Sequence, residues 1–241
     1  MTFTSRFALA TLALIAGATA QAADINTLGN LNQAEFRQFS EDAAALVSYK
    51  PLIPADPLGL TGFDVGASAT ATRLQNRAVW TKAAGGVSVP ENLGTVALRA
   101  HKGLPFDIDV GASIASVPTT NIRVIGGELR WAVLPGGVAL PAVALRLAVS
   151  SLSGVDQLSL RTTSYDVSVS KGFLMLTPYA GIGRVHAKST ANGVATLTTE
   201  SFDKTKVFGG VNLNLGLANV ALEADKTGDT TSYGVKLGFR F

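Results

Sequence analysis

The sequence contains no cysteine among its 241 residues, and only 15% of its residues are charged. Without cysteine there is no disulfide, no thiolate nucleophile and no cysteine-ligated metal site. The formal net charge of +3 is too small to indicate nucleic-acid binding. No spacing of possible metal ligands appears either, and we therefore expect neither a metal nor a cofactor.

Long apolar runs are also lacking, apart from one short stretch near the start of the chain. Arg6 precedes the uncharged run from Phe7 to Ala16, and small residues then lead to Ala20-Gln21-Ala22. This order is typical of a cleaved secretory signal, and the run is too short to span a bilayer. We predict a signal peptide over residues 1–22 and export from the cytoplasm. No cysteine follows the site, which disfavours a lipoprotein.

Residues 23–61 are predicted to form an amphipathic helix followed by a proline-rich connector. Asn32 and Glu35 have the spacing of a capping box, and apolar residues then recur every three or four positions as far as Val47. Pro51 ends the pattern. The helix could pack on the domain's own surface, plug a lumen or lie at a membrane interface. Its acidic polar face favours the first two placements.

Residues 62–241 read as alternating apolar and polar positions, the period of a strand with two different faces. We predict ten strands, with 8 or 12 as alternatives, in an all-β, up-and-down transmembrane antiparallel β-barrel. Long connections at 75–93 and 189–203 would lie at one end, and short turns at 102–105, 171–173 and 216–219 at the other. The predicted strands cover 63–72, 95–101, 106–114, 121–133, 143–149, 165–170, 174–188, 206–215, 220–225 and 233–241.

The last strand carries the most specific pattern. Its apolar face holds Tyr233, Val235, Leu237, Phe239 and Phe241, and glycine, lysine and arginine occupy the other face. It resembles the C-terminal strand of Gram-negative outer-membrane β-barrel proteins, which typically ends in phenylalanine and serves as an assembly signal. The resemblance implies an outer-membrane location, lipid and lipopolysaccharide as surroundings, and recognition by the barrel-assembly machinery through Tyr233, Leu237, Phe239 and Phe241.

The polar faces of the predicted strands hold nearly equal numbers of acidic and basic residues. In a narrow barrel these would point into the lumen, where charges persist only when paired. We therefore predict a lumen crossed by salt bridges, since a selective pore more often shows one dominant sign. The predicted network comprises Asp107, Asp109, Glu128, Arg130, Arg146, Asp166, Glu223, Asp225, Lys236 and Arg240, with Asp64, Arg99 and Lys206 on the same faces.

Two histidines are the remaining candidates for chemistry. His101 adjoins a short turn, and His186 has Ser189 three residues away, a weak nucleophile–base pair. We expect no catalytic residue and interpret Arg184, His186 and Lys188 as rim contacts to lipopolysaccharide phosphates. The favoured function is a structural barrel or a narrow or plugged channel for small solutes. The alternatives are an outer-membrane lipid-modifying enzyme and a soluble exported β-sandwich that serves as a binding module.

Overall fold

The computed structural model describes residues 25–118 and 120–241, and these form one closed antiparallel β-barrel. The signal peptide predicted for residues 1–22 lies outside the described residues. Among the residues described, no helix is both long enough and apolar enough to cross a membrane.

Ten strands follow one another around the barrel, each paired with its sequence neighbours, and β1 pairs with β10 to close the sheet. The predicted fold class is confirmed, and the β-sandwich alternative is wrong because a closed barrel has no second sheet. The strands are β1 (Phe63–Arg73), β2 (Asn92–Leu104), β3 (Ile108–Ser116), β4 (Arg123–Leu134), β5 (Ala142–Ser153), β6 (Leu158–Ser170), β7 (Leu176–Ala191), β8 (Glu200–Leu215), β9 (Ala218–Thr227) and β10 (Thr230–Arg240).

The two ends of the barrel differ. At one end, called the loop end below, β1 and β2 are joined by the longest connection, residues 74–91. At the other, called the turn end, lie the short connections 105–107, 135–141, 171–175 and 216–217, together with Phe241. Nearly half of the predicted loop 189–203 is strand, because β7 continues to Ala191 and β8 already begins at Glu200. The first residues of β8 are polar on both faces apart from Phe202, which hides the alternation that marks a strand.

Two α-helices of the described residues lie at the loop end. Helix α1 (Gln33–Val47) begins with the predicted capping box, in which the Asn32 side chain accepts from the Glu35 backbone N–H and the Glu35 side chain accepts from the Asn32 N–H. Helix α2 (Arg77–Ala83) lies within the β1–β2 connection. The apolar stripe of α1 is buried, and Phe39 packs on Trp80 with ring centroids 4.4 Å apart.

Helix α1 crosses the mouth of the barrel, because it contacts β5 and β6 on one side and β10 on another. Ser40 of the helix hydrogen-bonds Ser189 of β7 at 2.8 Å, and Thr230 of β10 donates to Asp42 at 3.0 Å. The membrane-interface placement of this helix is therefore wrong: its apolar stripe is covered by the barrel's own strands and loops.

Candidate functional site: a lumen filled by the chain

The connector, defined here as residues 48–58, runs through the lumen from the end of α1 to the turn end. Tyr49, Leu52 and Ala55 are 4%, 1% and 0% exposed. Prolines at positions 51, 54 and 57 favour an extended backbone and remove three N–H donors that a buried strand would have to satisfy. The connector then leads into β1 at Phe63.

Cationic side chains of the wall bind the connector's carbonyl oxygens. Arg99 of β2 donates to the Lys50 carbonyl, and Lys206 of β8 donates to the Tyr49 carbonyl. Arg130 of β4 donates to the Pro54 carbonyl in the same way. These bonds come from three separate strands, so the barrel wall binds the connector from several sides. Charged donors also make stronger hydrogen bonds than neutral ones.

Acidic and hydroxyl groups of the wall accept from the connector's N–H groups. Glu223 accepts from the Leu52 N–H at 2.8 Å, and Ser170 accepts from the Ala55 N–H at 3.1 Å. Asp109 accepts from the Leu58 N–H at 3.1 Å. The connector's own ammonium, Lys50, lies 2.8 Å from Asp225. The buried backbone of the connector is thus bonded to the wall along its length.

A chain of paired charges fills the lumen beside the connector. The Glu128 carboxylate lies 3.1 Å from His101 and 3.4 Å from Arg146, and Arg146 lies 2.7 Å from Asp166. The Tyr49 hydroxyl lies 3.3 Å from the same His101 ring. His101, which the sequence placed near a turn, is therefore a buried member of this network.

A second cluster lies towards the turn end. Asp64 pairs with Lys236 at 2.6 Å and with Arg240 at 2.9 Å, while Asp109 pairs with Arg130 at 2.5 Å. All side chains of these pairs except Arg240 are almost fully buried. Unpaired charges would be costly here, and each has at least one partner of opposite sign.

The structure brings together most of the residues predicted for the lumen network, with one exception. Asp107 is exposed in the turn between β2 and β3 and has a φ of 58°. The chain turns at Pro105–Asp107, so the alternation read for β3 begins only at Ile108. The sequence did not indicate Tyr49 and Lys50 as lumen residues, since the connector shows no periodicity that could assign a face.

Glycines make room for side chains in the lumen at several places, two of which lie beside the Tyr49 and His101 rings. A Cβ on Gly126 would lie 2.8 Å from the Tyr49 ring and 2.9 Å from the Ser150 hydroxyl. A Cβ on Gly111 would lie 2.3 Å from the His101 ring. The barrel wall therefore lacks side chains at the points where the Tyr49 and His101 rings would otherwise collide with them.

Ion pairs fix α1 at the loop end. Glu35 pairs with Lys82 of α2 at 2.7 Å, Arg37 with Glu200 at 3.0 Å, and Glu41 with Lys204 at 2.9 Å. Burial by itself would raise the pKa of Glu41. Hydrogen bonds from Lys204 and Arg37 outweigh this effect and hold the pKa below its ordinary value. The ionised carboxylate is thus the form that binds the helix to the barrel.

The outer wall carries the remaining predicted residues. Tyr233, Leu237, Phe239 and Phe241 are exposed on and just beyond β10. Arg184, His186 and Lys188 are exposed on β7, whereas Ser189 points inward to Ser40. Ser189 and His186 therefore lie on opposite faces of the strand and do not form a pair.

The fold is similar to that of solved proteins, but the sequence has no match among protein families or curated proteins. No protein-family model and no curated protein matches the sequence. The N-terminal β-barrel domain of Pseudomonas aeruginosa OprF is similar at a TM-score of 0.38 and 14% identity, covering 76% of this chain and 99% of that one.

Two further barrels show similar values. Acinetobacter baumannii outer membrane protein Omp33 matches at a TM-score of 0.35 and 9% identity, with 76% and 100% of the two chains covered. Outer membrane protein OprG from Pseudomonas aeruginosa matches at a TM-score of 0.35 and 11% identity, covering 77% of this chain and 99% of that one. The chain resembles small Gram-negative outer-membrane β-barrels, as its last strand indicated.

Proposed function

We propose that this protein is an outer-membrane β-barrel whose own N-terminal segment closes the lumen, giving it a structural rather than a conducting role. The single observation that carries the proposal is the connector, buried along the lumen and bonded to charged side chains of the wall. Solutes would have to displace this segment in order to pass.

The outward faces of the strands support the membrane location. Every strand presents at least one large apolar side chain outward, 40% to 71% exposed, whereas most charges of the lumen are buried and paired. A closed sheet leaves no edge unpaired, which is the condition for spanning a bilayer with strands. The exposed apolar residues include Val65, Leu98, Ile114, Ile125, Leu147, Val167, Ile182, Val207, Leu222 and Leu237.

Export and assembly complete the proposal. The signal peptide over residues 1–22 would direct export, and the barrel-assembly machinery would recognise the last strand through Tyr233, Leu237, Phe239 and Phe241. With the turn end facing the periplasm, Arg184, His186 and Lys188 would lie near the outer leaflet and contact lipopolysaccharide phosphates.

Conductance in a planar lipid bilayer tests the closed lumen. The intact protein should show no steady conductance, whereas a variant lacking residues 25–58 should conduct. That open lumen should select weakly between cations and anions, because its acidic and basic side chains are nearly balanced. Heat-dependent migration on a gel must first show that the deletion variant still forms a closed barrel.

Two results would contradict the proposal. One is a large, steady conductance in the intact protein. The other is a deletion variant that forms the heat-modifiable barrel and still does not conduct, since the connector would then not be what closes the lumen.

A further inference from the structure

A polar patch on the outer wall, away from the lumen, contains more than the phosphate contacts proposed above. It spans three neighbouring strands, whose register places exposed side chains directly opposite one another in two rows. One row runs Arg161, Lys188 and Ser201, and the next runs Thr163, His186 and Asp203 across β6, β7 and β8.

The patch lies close to the apolar part of the wall. Going towards the turn end, the next outward row contains Arg184, and the row after that is entirely apolar: Val167, Ile182 and Val207. If the barrel spans a bilayer as proposed above, the patch therefore sits where acyl chains give way to polar headgroups. Cations at this level suit the phosphates of lipid headgroups.

Asp203, His186 and Ser201 form a chain of side-chain hydrogen bonds with the histidine in the middle. The His186 Nδ1 lies 3.2 Å from the Asp203 Oδ1, and the His186 Nε2 lies 3.4 Å from the Ser201 Oγ. A carboxylate only accepts hydrogen bonds, so Nδ1 carries the proton and Nε2 is left free to accept from the serine hydroxyl. Acid, base and nucleophile thus stand in the order required for an activated serine.

The strand ladder fixes this arrangement. His186 and Asp203 are direct cross-strand partners, and Ser201 lies two residues from Asp203 on the same face of β8. The serine–histidine distance is long for a hydrogen bond, as is common at catalytic sites before substrate binds. Lys188 is the direct cross-strand partner of Ser201, so its side chain leaves the backbone next to the nucleophile on the same outward face.

We propose that Ser201, His186 and Asp203 form a hydrolytic site that cleaves an acyl ester of a phosphorylated lipid in the surrounding leaflet. This inference relies on the membrane location proposed above, but not on the closed lumen. From the sequence, only Ser189 was weighed as a partner for His186. In the structure, Ser201 and Asp203 on the neighbouring strand lie beside His186 instead.

The reaction balances with water as the only co-reactant. The Ser201 Oγ attacks the ester carbonyl carbon as its proton passes to His186 Nε2, and Lys188 stabilises the negative oxygen that develops. The tetrahedral intermediate collapses, the ester C–O bond breaks, and His186 returns the proton to the departing alcohol. Water, deprotonated by His186, then hydrolyses the acyl-serine to release a fatty acid and regenerate Ser201.

Labelling with a fluorophosphonate probe tests the nucleophile in the full-length protein in detergent. The probe reacts with activated serines, so intact mass and peptide mapping should place one adduct on Ser201. Ser201→Ala should abolish this labelling, and His186→Gln should slow it by about 10²-fold or more, the usual contribution of a general base. The matched control is Ser159→Ala, another exposed outward serine, which should label at the wild-type rate.

Hydrolysis identifies the substrate. Fatty-acid release should be measured from phosphatidylglycerol, purified lipopolysaccharide and uncharged diacylglycerol in mixed micelles. Release from at least one phosphorylated lipid should exceed that from diacylglycerol, and the lipid that responds distinguishes phospholipid from lipopolysaccharide. Arg161→Gln should raise the KM for the phosphorylated lipid more than the KM for diacylglycerol.

The proposal is overturned if folded protein takes up no probe, or if Ser201→Ala labels like the wild type. Binding of phosphorylated lipid without release of fatty acid would equally overturn it, leaving only the rim contact. All the altered side chains are exposed on the wall, and heat-dependent gel migration verifies that each variant folds. A conducting lumen would refute the closed lumen without affecting these measurements.

Discussion

At the scale of single residues, the large side chains in the lumen lie against glycines of the barrel strands. Gly126 faces inward against the Tyr49 ring, while its neighbour Gly127 lies on the outward face of β4. The two adjacent glycines therefore have opposite roles. Gly126 leaves room for the Tyr49 ring of the connector, whereas Gly127 faces away from the lumen.

Gly126→Ala should destabilise the barrel by about 1–3 kcal/mol, the usual cost of overpacking a filled interior. Its Cβ would lie 2.8 Å from the Tyr49 ring, so either the ring or the strand must shift. The temperature at which the folded gel band disappears measures the effect.

Gly127→Ala is the matched control for this substitution. The nearest atom to its Cβ would be the Gly111 carbonyl oxygen at 3.5 Å, an ordinary contact. Its transition temperature should equal that of the wild type. Equal temperatures for both variants would mean that Tyr49 does not occupy the lumen as described.

Alternation along the strands was sufficient to predict which charged residues face inward, and side-chain burial agrees for Glu128, Arg146 and Glu223. Alternation fails where the backbone leaves the strand conformation. Asp107 follows Pro105 into a turn and lies outside the lumen. Pairing could be expected from charge balance, but individual partners depend on strand register and on the connector, which the sequence pattern does not specify.

At the scale of secondary-structure elements, the start of helix α1 was predictable and its location was not. The capping box at Asn32 and Glu35 is a local signal, and it forms as expected. An apolar stripe shows only that a helix is covered on one side. Lipid, a lumen or the loops of the same chain could cover it, and tertiary contacts such as that between Phe39 and Trp80 decide the outcome.

Acid should loosen helix α1 from the barrel, because the Glu41 pKa is lowered in the folded protein. A lowered pKa stabilises the folded state above the ordinary carboxyl value of about 4.3, and this contribution is lost as the pH falls towards the folded value. Emission from Trp80 in a Trp131→Phe background should therefore change as the pH falls from about 5 to about 3.

Glu41→Gln in the same background provides the comparison. It cannot lose a charge on acidification, so its emission should depend less on pH than that of its parent. Other carboxylates near the helix, including Glu35 and Asp42, would account for any remaining change. Identical pH curves for the two proteins would show that Glu41 does not hold the helix.

At the scale of the whole molecule, the chain end closes the barrel. The Phe63 N–H donates to the Phe241 carbonyl at 2.6 Å, and the Phe241 N–H donates to the Phe63 carbonyl at 3.0 Å. Their rings lie 5.7 Å apart on the outer wall. Phe241 therefore completes the seam between β1 and β10 and also extends the exposed apolar face of β10.

Deleting Phe241 should reduce the amount of folded barrel in the outer membrane. The deletion removes two seam hydrogen bonds, each contributing about 0.5–1.5 kcal/mol, and the last residue of the predicted assembly signal. Quantitative gels of unheated membrane fractions measure the folded form. Phe106→Ala, which removes an exposed aromatic from a turn, should leave the amount unchanged, and an equal amount after deletion of Phe241 would refute the signal.

The central claim, that the N-terminal segment lies inside a closed barrel, is tested most directly by a disulfide. Ser40 of α1 and Ser189 of β7 have hydroxyl oxygens 2.8 Å apart, and the chain has no cysteine that could compete. Ser40→Cys with Ser189→Cys should form a bond on oxidation in isolated membranes, since side chains this close can meet disulfide geometry. Ser40→Cys with Thr190→Cys, on the neighbouring residue whose side chain bonds Thr199 instead, should not. Bond formation in the first pair alone is the predicted result, and no bond in the first pair, or bonds in both, would contradict it.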